Sequence, residues 1–223
     1  MIIQAMFEND TSLKDFTPIS NWNTSNVTRC DYIFNNCSNV TGITLNWDTS
    51  KVTNMYKMFC NSKSLYNVEL SGSTKSVTTM EEMFKNCSSL NQIIMPKFSL
   101  KSAKTLKWMN AGCKNLENLD YFRNNTDTSS NLTSLCATFE DCVKVTDITP
   151  LTSITTDNVT DMTYLFNRMT NLGKTDEEFE QIKAVLKKWN VSNVTSWNQF
   201  KNNTGDKFKN AKQIEFKDKT VNF

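Results

Sequence analysis

Apolar residues recur along this chain in one phrase, which reads Val-Thr-x-Met-x-x-Met-Phe-x-x-Cys-x-x-Leu-x-x-Ile-x-Leu. The clearest copies occupy residues 52–70 and 77–95. The Phe of the Met-Phe pair marks the register, and Phe34, Phe59 and Phe84 lie 25 residues apart. The same column continues at Phe7, Asn110, Phe139 and Phe166. A fixed period of this length indicates a repeat protein in which each unit buries its apolar face against its neighbours.

Two more apolar columns keep the same register. One lies seven residues before the Phe column, at Val27, Val52, Val77, Ala103, Leu132 and Val159. The other lies six residues after it, at Leu13, Val40, Leu65, Leu90, Leu116, Val145 and Leu172. The columns predict one repeat domain over residues 1–223, with a helical insertion at 175–189. Its units are predicted at about 1–20, 21–46, 47–71, 72–97, 98–120, 121–150, 151–174 and 189–223.

Each unit divides into two halves with different apolar spacing. In the second half, residues 64–70 end in an apolar–polar alternation, which predicts a short strand with one buried face. In the first half, residues 52–59 place apolar residues at i, i+3, i+6 and i+7, which predicts about two turns of helix. One strand and one helix per unit favour an α/β right-handed leucine-rich-repeat solenoid of about eight coils. The parallel sheet would form its concave face and the short helices its convex face.

Three parts of the chain depart from the regular phrase: the insertion after residue 174, position 110 and the last unit. Thr175 followed by Glu178 forms a capping-box pattern, and the apolar residues after it predict a helix at about 176–189. Asn110 replaces the buried Phe, and Trp108 and Met109 are expected to fill the space. Residues 208–211 align with 84–87, and residues 214–216 are predicted as the final strand.

Composition narrows the classes of function. Apolar residues make up 38% of the chain, the net charge is +2, and histidine is absent. The mean hydropathy is −0.49, and no run of ~20 apolar residues predicts membrane insertion. Without histidine the commonest general base is missing, and the small net charge gives no case for nucleic acid. We expect no enzyme activity and no cofactor.

The seven cysteines are the remaining residues whose side chains could be reactive or bind a metal. Four of them, Cys37, Cys87, Cys113 and Cys142, share one column three residues after the Phe, which predicts buried structural thiols. Coil spacing alone would permit a disulfide between neighbours in this column, and zinc is disfavoured because no Cys-x-x-Cys pair exists. Cys30 is predicted in the core, and Cys60 and Cys136 are predicted to be more exposed.

The segments 47–59 and 189–195, each beginning with Trp and containing Val-Thr, resemble the BspA-type leucine-rich repeats. More narrowly, they resemble the DUF285 branch that is abundant in mycoplasma surface lipoproteins. The resemblance covers nearly the whole chain. It implies a protein on the cell surface or secreted, with adhesion or recognition as its role and an export signal outside this sequence.

Strand residues that point away from the core are the candidate recognition residues, because repeat proteins generally bind along such a sheet. They vary from unit to unit, while the buried columns do not. The alternative is an ordinary solvated sheet. The set comprises Asp15, Thr17, Thr44, Asn67, Glu69, Gln92, Ile94, Asn118, Asp120, Asp147 and Thr149, with Tyr66 as a further candidate apolar anchor on the same side.

The leading hypothesis is a non-enzymatic recognition or adhesion protein. Its partner would be a protein or glycan on a host or neighbouring cell, bound through the concave face or the inserted helix. The first alternative is a structural spacer within a larger surface protein. The second is a phage or secreted effector that uses the repeats for host recognition.

Overall fold

The computed structural model of the protein describes residues 1–128 and 131–223 and has an α/β fold. Three short strands come first, two α-helices follow, and two strands end the chain. The strands are β1 (Gly42–Leu45), β2 (Asn67–Leu70), β3 (Gln92–Ile94), β4 (Gln213–Glu215) and β5 (Thr220–Asn222), and the helices are α1 (Asp176–Leu186) and α2 (Asp206–Asn210). Three 3₁₀ helices lie at Thr17–Ile19, Asp120–Asn124 and Thr149–Ser153.

Strands β1, β2 and β3 form a parallel sheet in the order β1-β2-β3. The strand prediction for the second half of the unit is confirmed in these three units. Ile43 pairs with Val68, which pairs with Ile93, and all three side chains are buried. Because side chains alternate along a strand, the residues on either side of each face away from the core.

Three other units do not have the predicted strand, and the candidate residues there lie at the starts of 3₁₀ helices. The carboxylate of Asp15 accepts the N–H of Thr17, and that of Asp147 accepts the N–H of Thr149. Such a side chain–backbone bond two residues ahead starts a turn and competes with strand pairing. The third case is similar, because the side chain of Asn118 accepts the N–H of Asp120. Proline near the start of two of these helices strengthens the effect.

The prediction of a helix in the first half of each unit is wrong. Residues 55–62 form successive reverse turns. In these turns every second N–H group donates to a carbonyl of the next unit instead of one in its own unit. The N–H of Met58 closes a turn on the carbonyl of Met55 (3.3 Å), whereas the N–H of Phe59 donates to Met83 of the next unit (2.9 Å). This chain of turns also brings residues three and four apart onto one side, so it produces the apolar spacing of a helix.

Left-handed residues make a helix impossible in these segments. Two residues with positive φ lie four apart in every unit, the second most often Asn. The pairs are Ala5 and Asn9, Tyr32 and Asn36, Lys57 and Asn61, Glu82 and Asn86, Trp108 and Gly112, Ala137 and Asp141, Tyr164 and Arg168, and Gln199 and Asn203. Asn and Gly tolerate this conformation best. The Asn that recurs two residues after the Phe column was therefore a sign of turns, which the prediction of a helix did not take into account.

One continuous ladder of parallel bridges joins the units. It runs through Ile2, Arg29, Asn54, Thr79, Thr105, Ser134, Asp161 and Ser196. Each rung lies 25 to 35 residues after the previous one in the sequence. The repeat period is therefore visible in backbone pairing, because each first half hydrogen-bonds to its equivalent in the next unit.

Aromatic rings and methionines fill the space behind these segments. Phe34, Phe59 and Phe84 are at most 1% exposed, and their rings stack at 5.4 and 5.5 Å between centroids. Met55 and Met80 are buried beside them, so the prediction that the Met and Phe stripe is core is confirmed. Full burial of such a side chain contributes about 1.5–3 kcal/mol, so each ring in this column stabilises the packing between units.

The cysteine column has a specific hydrogen-bonding role. The Cys87 thiol donates to the carbonyl of Phe59, and the Cys113 thiol donates to that of Phe84, each over 3.0 Å. Ser62 does the same with its hydroxyl to Phe34 at 2.8 Å. The column therefore selects small donors that satisfy a buried carbonyl of the preceding unit. All seven cysteines are free and buried, as predicted for most of them.

Cys60 and Cys136 correct part of that prediction. They are 2% and 7% exposed, not surface thiols. Each of the two lies within a segment of successive turns. Such a segment returns to the core every few residues, so it has no outer side like that of a helix on which these thiols would be exposed.

Asn110 occupies the Phe column fully buried, but Trp108 does not fill the space as predicted. The hydroxyl of Tyr121 donates to Asn110 Oδ1 (2.9 Å), so a ring from the following 3₁₀ helix packs there instead. Trp108 lies half-buried between the amines of Lys85 and Lys107, each 4.2 Å from the ring centroid.

Helix α1 occupies most of the predicted range 176–189 and has the predicted capping box. The Glu178 N–H donates to the Thr175 hydroxyl, and the Glu178 carboxylate accepts the Thr175 N–H. This closes the first turn of the helix.

The last unit differs from its predicted alignment in two ways. Lys201, not Phe208, takes the Phe column there, and its amine donates to the carbonyl of Lys209 (2.7 Å). Phe208 instead lies in α2 and contacts the ring of Phe166 (6.0 Å). The predicted final strand is β4, but it pairs antiparallel with β5 instead of joining the parallel sheet.

Candidate recognition surface

The outer face of the parallel sheet presents two rows of side chains. The register aligns Gly42 with Asn67 and Gln92 in one row. It aligns Thr44 with Glu69 and Ile94 in the other. The alternate residues of each strand are buried. The alternation in the sequence therefore identified the outward residues of these three strands correctly.

A first depression joins this sheet to the unit before it. Asp15 and Thr17 line it together with Thr44 and Asn67. Hydrogen bonds from the Thr17 hydroxyl and N–H lower the pKa of the exposed Asp15 carboxyl below its ordinary value. The carboxylate is thus held in place by its own turn, although no strand forms there.

A second depression joins the sheet to the unit after it. Gln92, Ile94, Asn118 and Asp120 line it, together with Arg123. The structure therefore brings candidate residues from two different units to one place, although only the first two lie on a strand. Asp147 and Thr149 belong to the unit beyond, at the start of its 3₁₀ helix.

Arg123 is a residue of this surface that sequence reasoning missed. Its guanidinium bonds Asp120 (3.0 Å) in the same 3₁₀ helix and reaches Asp147 (3.5 Å) and Thr149 (2.9 Å) at the start of the next 3₁₀ helix. The negative charges of Asp120 and Asp147 are therefore partly neutralised here. Only the spacing of three residues between Asp120 and Arg123 could have signalled the pair.

Tyr66 and Ile94 supply exposed apolar surface on neighbouring units. Tyr66 is 56% exposed and Ile94 39%, whereas the apolar residues of the repeat columns around them are buried. Exposed tyrosine is a frequent centre of binding energy because one ring offers a large rigid contact and a polar tip. These two side chains are the exposed apolar members of the candidate set.

The titratable groups of the core do not form a reactive site. Burial raises the pKa of the Cys60 and Cys136 thiols to about 11 and that of Cys30 to about 12. A nucleophilic cysteine needs the opposite shift. Within residues 1–128 and 131–223, no cluster of three or more Cys, Asp or Glu side chains could hold a metal ion. The described helices are too short and too polar to cross a membrane.

The repeated phrase, the parallel sheet and the buried columns define a repetitive α/β protein of the leucine-rich-repeat type. A family model described as "Mycoplasma protein of unknown function, DUF285" matches residues 1–122 and 106–220. The chain belongs to this family, and the resemblance noted in residues 47–59 and 189–195 is confirmed.

A crystal structure of a leucine-rich repeat protein from Eubacterium ventriosum is similar to this chain, with 15% sequence identity and a TM-score of 0.39. The similarity covers 80% of this chain and 59% of that protein, so the chain spans about three fifths of its length. No curated protein matches the chain.

Proposed function

We propose that this protein is a non-enzymatic recognition protein that binds a protein or glycan through the outer face of its parallel sheet. The observation that carries the proposal is the contrast between the two sides of β1–β3. Inward residues repeat from unit to unit, whereas outward residues change in size, charge and polarity. Packing does not require that variety, so the outer face is free to be selected for binding.

We also propose that the units stack as a right-handed solenoid of about eight coils. Eight pairs of left-handed residues and seven bridges that link eight equivalent residues support the number. The parallel strands support the hand, since crossover connections between parallel strands are right-handed in about 98% of cases. The candidate recognition surface would then lie along the concave side.

The proposed partner is a protein or glycan on a host or neighbouring cell. Membership of DUF285 supports a location at the cell surface or outside the cell. Affinity would come from Tyr66 and Ile94 as anchors and from the surrounding amide and carboxyl groups as a polar rim, as is usual for such interfaces.

Arrays of glycans and of cell-surface proteins, probed with the labelled chain 1–223, test the proposal. For any interaction found, Tyr66→Ala and Ile94→Asp should each weaken binding at least tenfold. Glu69→Lys and Asp120→Lys should change its dependence on salt, because rim charges act mainly through long-range electrostatics.

Tyr164→Ala is the matched control, since Tyr164 lies on the turn-containing half of its unit. It should bind like the wild type. Binding that survives all four substitutions at Tyr66, Glu69, Ile94 and Asp120, or that is lost equally in the Tyr164 variant, would show that this face is not the recognition surface.

A further inference from the structure

A polar depression of about 400 Å³ lies in the C-terminal half of the chain. It is bordered by residues 125–128 and 152–157, together with Lys188, Asn190 and Lys217, and it contains none of the candidate recognition residues of the sheet. Its volume falls within the range of small-molecule sites, about 300–1,000 Å³. Such sites are usually lined mainly by apolar side chains, whereas all but one of the side chains here belong to Thr, Ser, Asn, Asp or Lys. The depression therefore suits a strongly polar ligand.

Hydrogen bonds fix the segments that border this depression. The Asn125 amide donates to the carbonyl of Ser153, and the Thr156 hydroxyl donates to the carbonyl of Asn190, each over 2.8 Å. Residues 152–157 therefore lie between the other two segments. The side chains of Asn125 and Thr156 are buried, so the polar floor of the depression is held in place before any ligand arrives.

Asp157 and Asn190 form a pair that matches two adjacent hydroxyls. The Asn190 amide donates to Asp157 Oδ1 over 2.8 Å. An amide has two N–H bonds and a carboxylate has two oxygens, so one donor and one acceptor of the pair remain. A vicinal diol can donate one hydroxyl to the remaining oxygen and accept the remaining N–H with the other. Thr126 and Thr155 also line the depression, and their hydroxyls make no hydrogen bond within the described part of the chain.

Two lysines supply positive charge at one end of the depression. Lys217 lies beside Lys188, because its N–H donates to the carbonyl of the residue after Lys188 (3.1 Å). Neither amine has a carboxylate partner within residues that the structure describes, whereas the adjacent Lys187 pairs with Glu215 (2.9 Å). Asp127 lies at the other end, on the far side of the central segment. A carboxylate on the ligand would supply the missing partner through charge-assisted hydrogen bonds.

We propose that this depression binds an acidic saccharide, a sugar that carries a carboxylate. Asp157 and Asn190 hold two adjacent hydroxyls of the ring, and Lys188 and Lys217 hold the carboxylate. The inference does not depend on the function proposed for the sheet, because it rests on different residues.

Titration of the ¹⁵N-labelled chain 1–223, followed by NMR, tests the proposal. The probes are methyl glucuronide and methyl galacturonide. At millimolar concentration, where a small site with a binding free energy of about −4 kcal/mol is half occupied, each should shift the amide signals of Thr155 and Asn190. Methyl glucoside and methyl galactoside, which lack the carboxylate, should bind about tenfold more weakly. Acetate and inorganic phosphate, which lack the hydroxylated ring, should do so as well.

Two variants separate the roles of the charged groups. Lys188→Glu with Lys217→Glu should remove the preference for the acidic over the neutral sugar. Asp157→Asn retains the hydrogen bond with Asn190 but loses the charged acceptor, so it should weaken the binding of the neutral glycosides at least threefold. Thermal unfolding should show that both variants remain folded.

The matched control is Lys63→Glu with Lys114→Glu, which reverses two exposed lysines of other units. It should bind the acidic sugars like the wild type, and so should Tyr66→Ala, which alters only the sheet.

Three results would overturn the proposal. They are unchanged amide signals of Thr155 and Asn190 with both acidic sugars, acetate or phosphate that binds as tightly as those sugars, and equal loss of binding in the control or the Tyr66 variant. Failure of the proposal for the sheet would appear in a different measurement, since partners found on arrays are tested with substitutions outside this depression.

Discussion

Coupling between neighbouring rings of the Phe column is the prediction that tests unit-by-unit packing most directly. Phe59 and Phe84 are at most 1% exposed and stack at 5.5 Å with an angle of 1° between the rings. Truncating a buried Phe to Ala costs about 3–5 kcal/mol, which is a large share of a total stability of about 5–15 kcal/mol. Phe59→Leu retains part of the volume and should cost about 1–2 kcal/mol, at about 0.8 kcal/mol per buried methylene.

A double-mutant cycle of Phe59→Leu and Phe84→Leu should give a coupling free energy of about 0.5–1.5 kcal/mol, the range for aromatic pairs in contact. The same cycle with Phe166→Leu should give a coupling near zero, because Phe166 belongs to a distant unit. Tyr66→Ala, in the same unit as Phe59 but exposed, should change stability by less than about 0.5 kcal/mol.

The assay is urea unfolding of the purified variants, followed by tryptophan fluorescence and circular dichroism. The chain contains five tryptophans. Coincident curves and constant m-values are needed before free energies are compared, since long repeat arrays can unfold in parts. Equal coupling of Phe59 to Phe84 and to Phe166, or no coupling to either, would refute packing that passes only between adjacent units.

Three further predictions concern the thiols, a glycine and the helix cap. Because burial raises the pKa of Cys60 and Cys136 from 9.0 to about 11, their contribution to stability is complete below pH 9 and is lost as the pH rises towards 11. The urea concentration at the unfolding midpoint should decrease as the pH rises from 9.0 towards about 11, and should decrease less in the variant with both Cys60 and Cys136 replaced by Ala. Gly173→Ala should cost at least about 1 kcal/mol, because φ is +75° and the new Cβ would lie 2.7 Å from the Cβ of Phe208. Gly42→Ala, which meets only the flexible side chain of Asn67, should cost clearly less by the same unfolding assay. Thr175→Ala should cost about 1 kcal/mol by removing the cap of α1, and unchanged thermal unfolding would contradict this.

The sequence predicted the candidate surface well only where strands form. Side chains of β1, β2 and β3 alternate as expected, and Thr44, Glu69 and Ile94 align across the sheet. In the other units the prediction of strands did not consider a local hydrogen bond that competes with strand pairing. Asp15 and Asp147 hydrogen-bond to their own backbone two residues ahead, and this stabilises turns at positions where the alternation alone suggests strands.

The amino-acid sequence by itself determined the period, the buried columns and the family, because each depends on which residues recur and not on how the backbone runs between them. It also determined α1, whose cap and apolar face lie within one local segment. The conformation of the first half of each unit was decided only by tertiary structure. Apolar spacing cannot distinguish a short helix from a chain of reverse turns, since both bring residues three and four apart onto one side. The alternate N–H groups that pair with the adjacent unit favour the turns, and those bonds exist only once two units lie side by side.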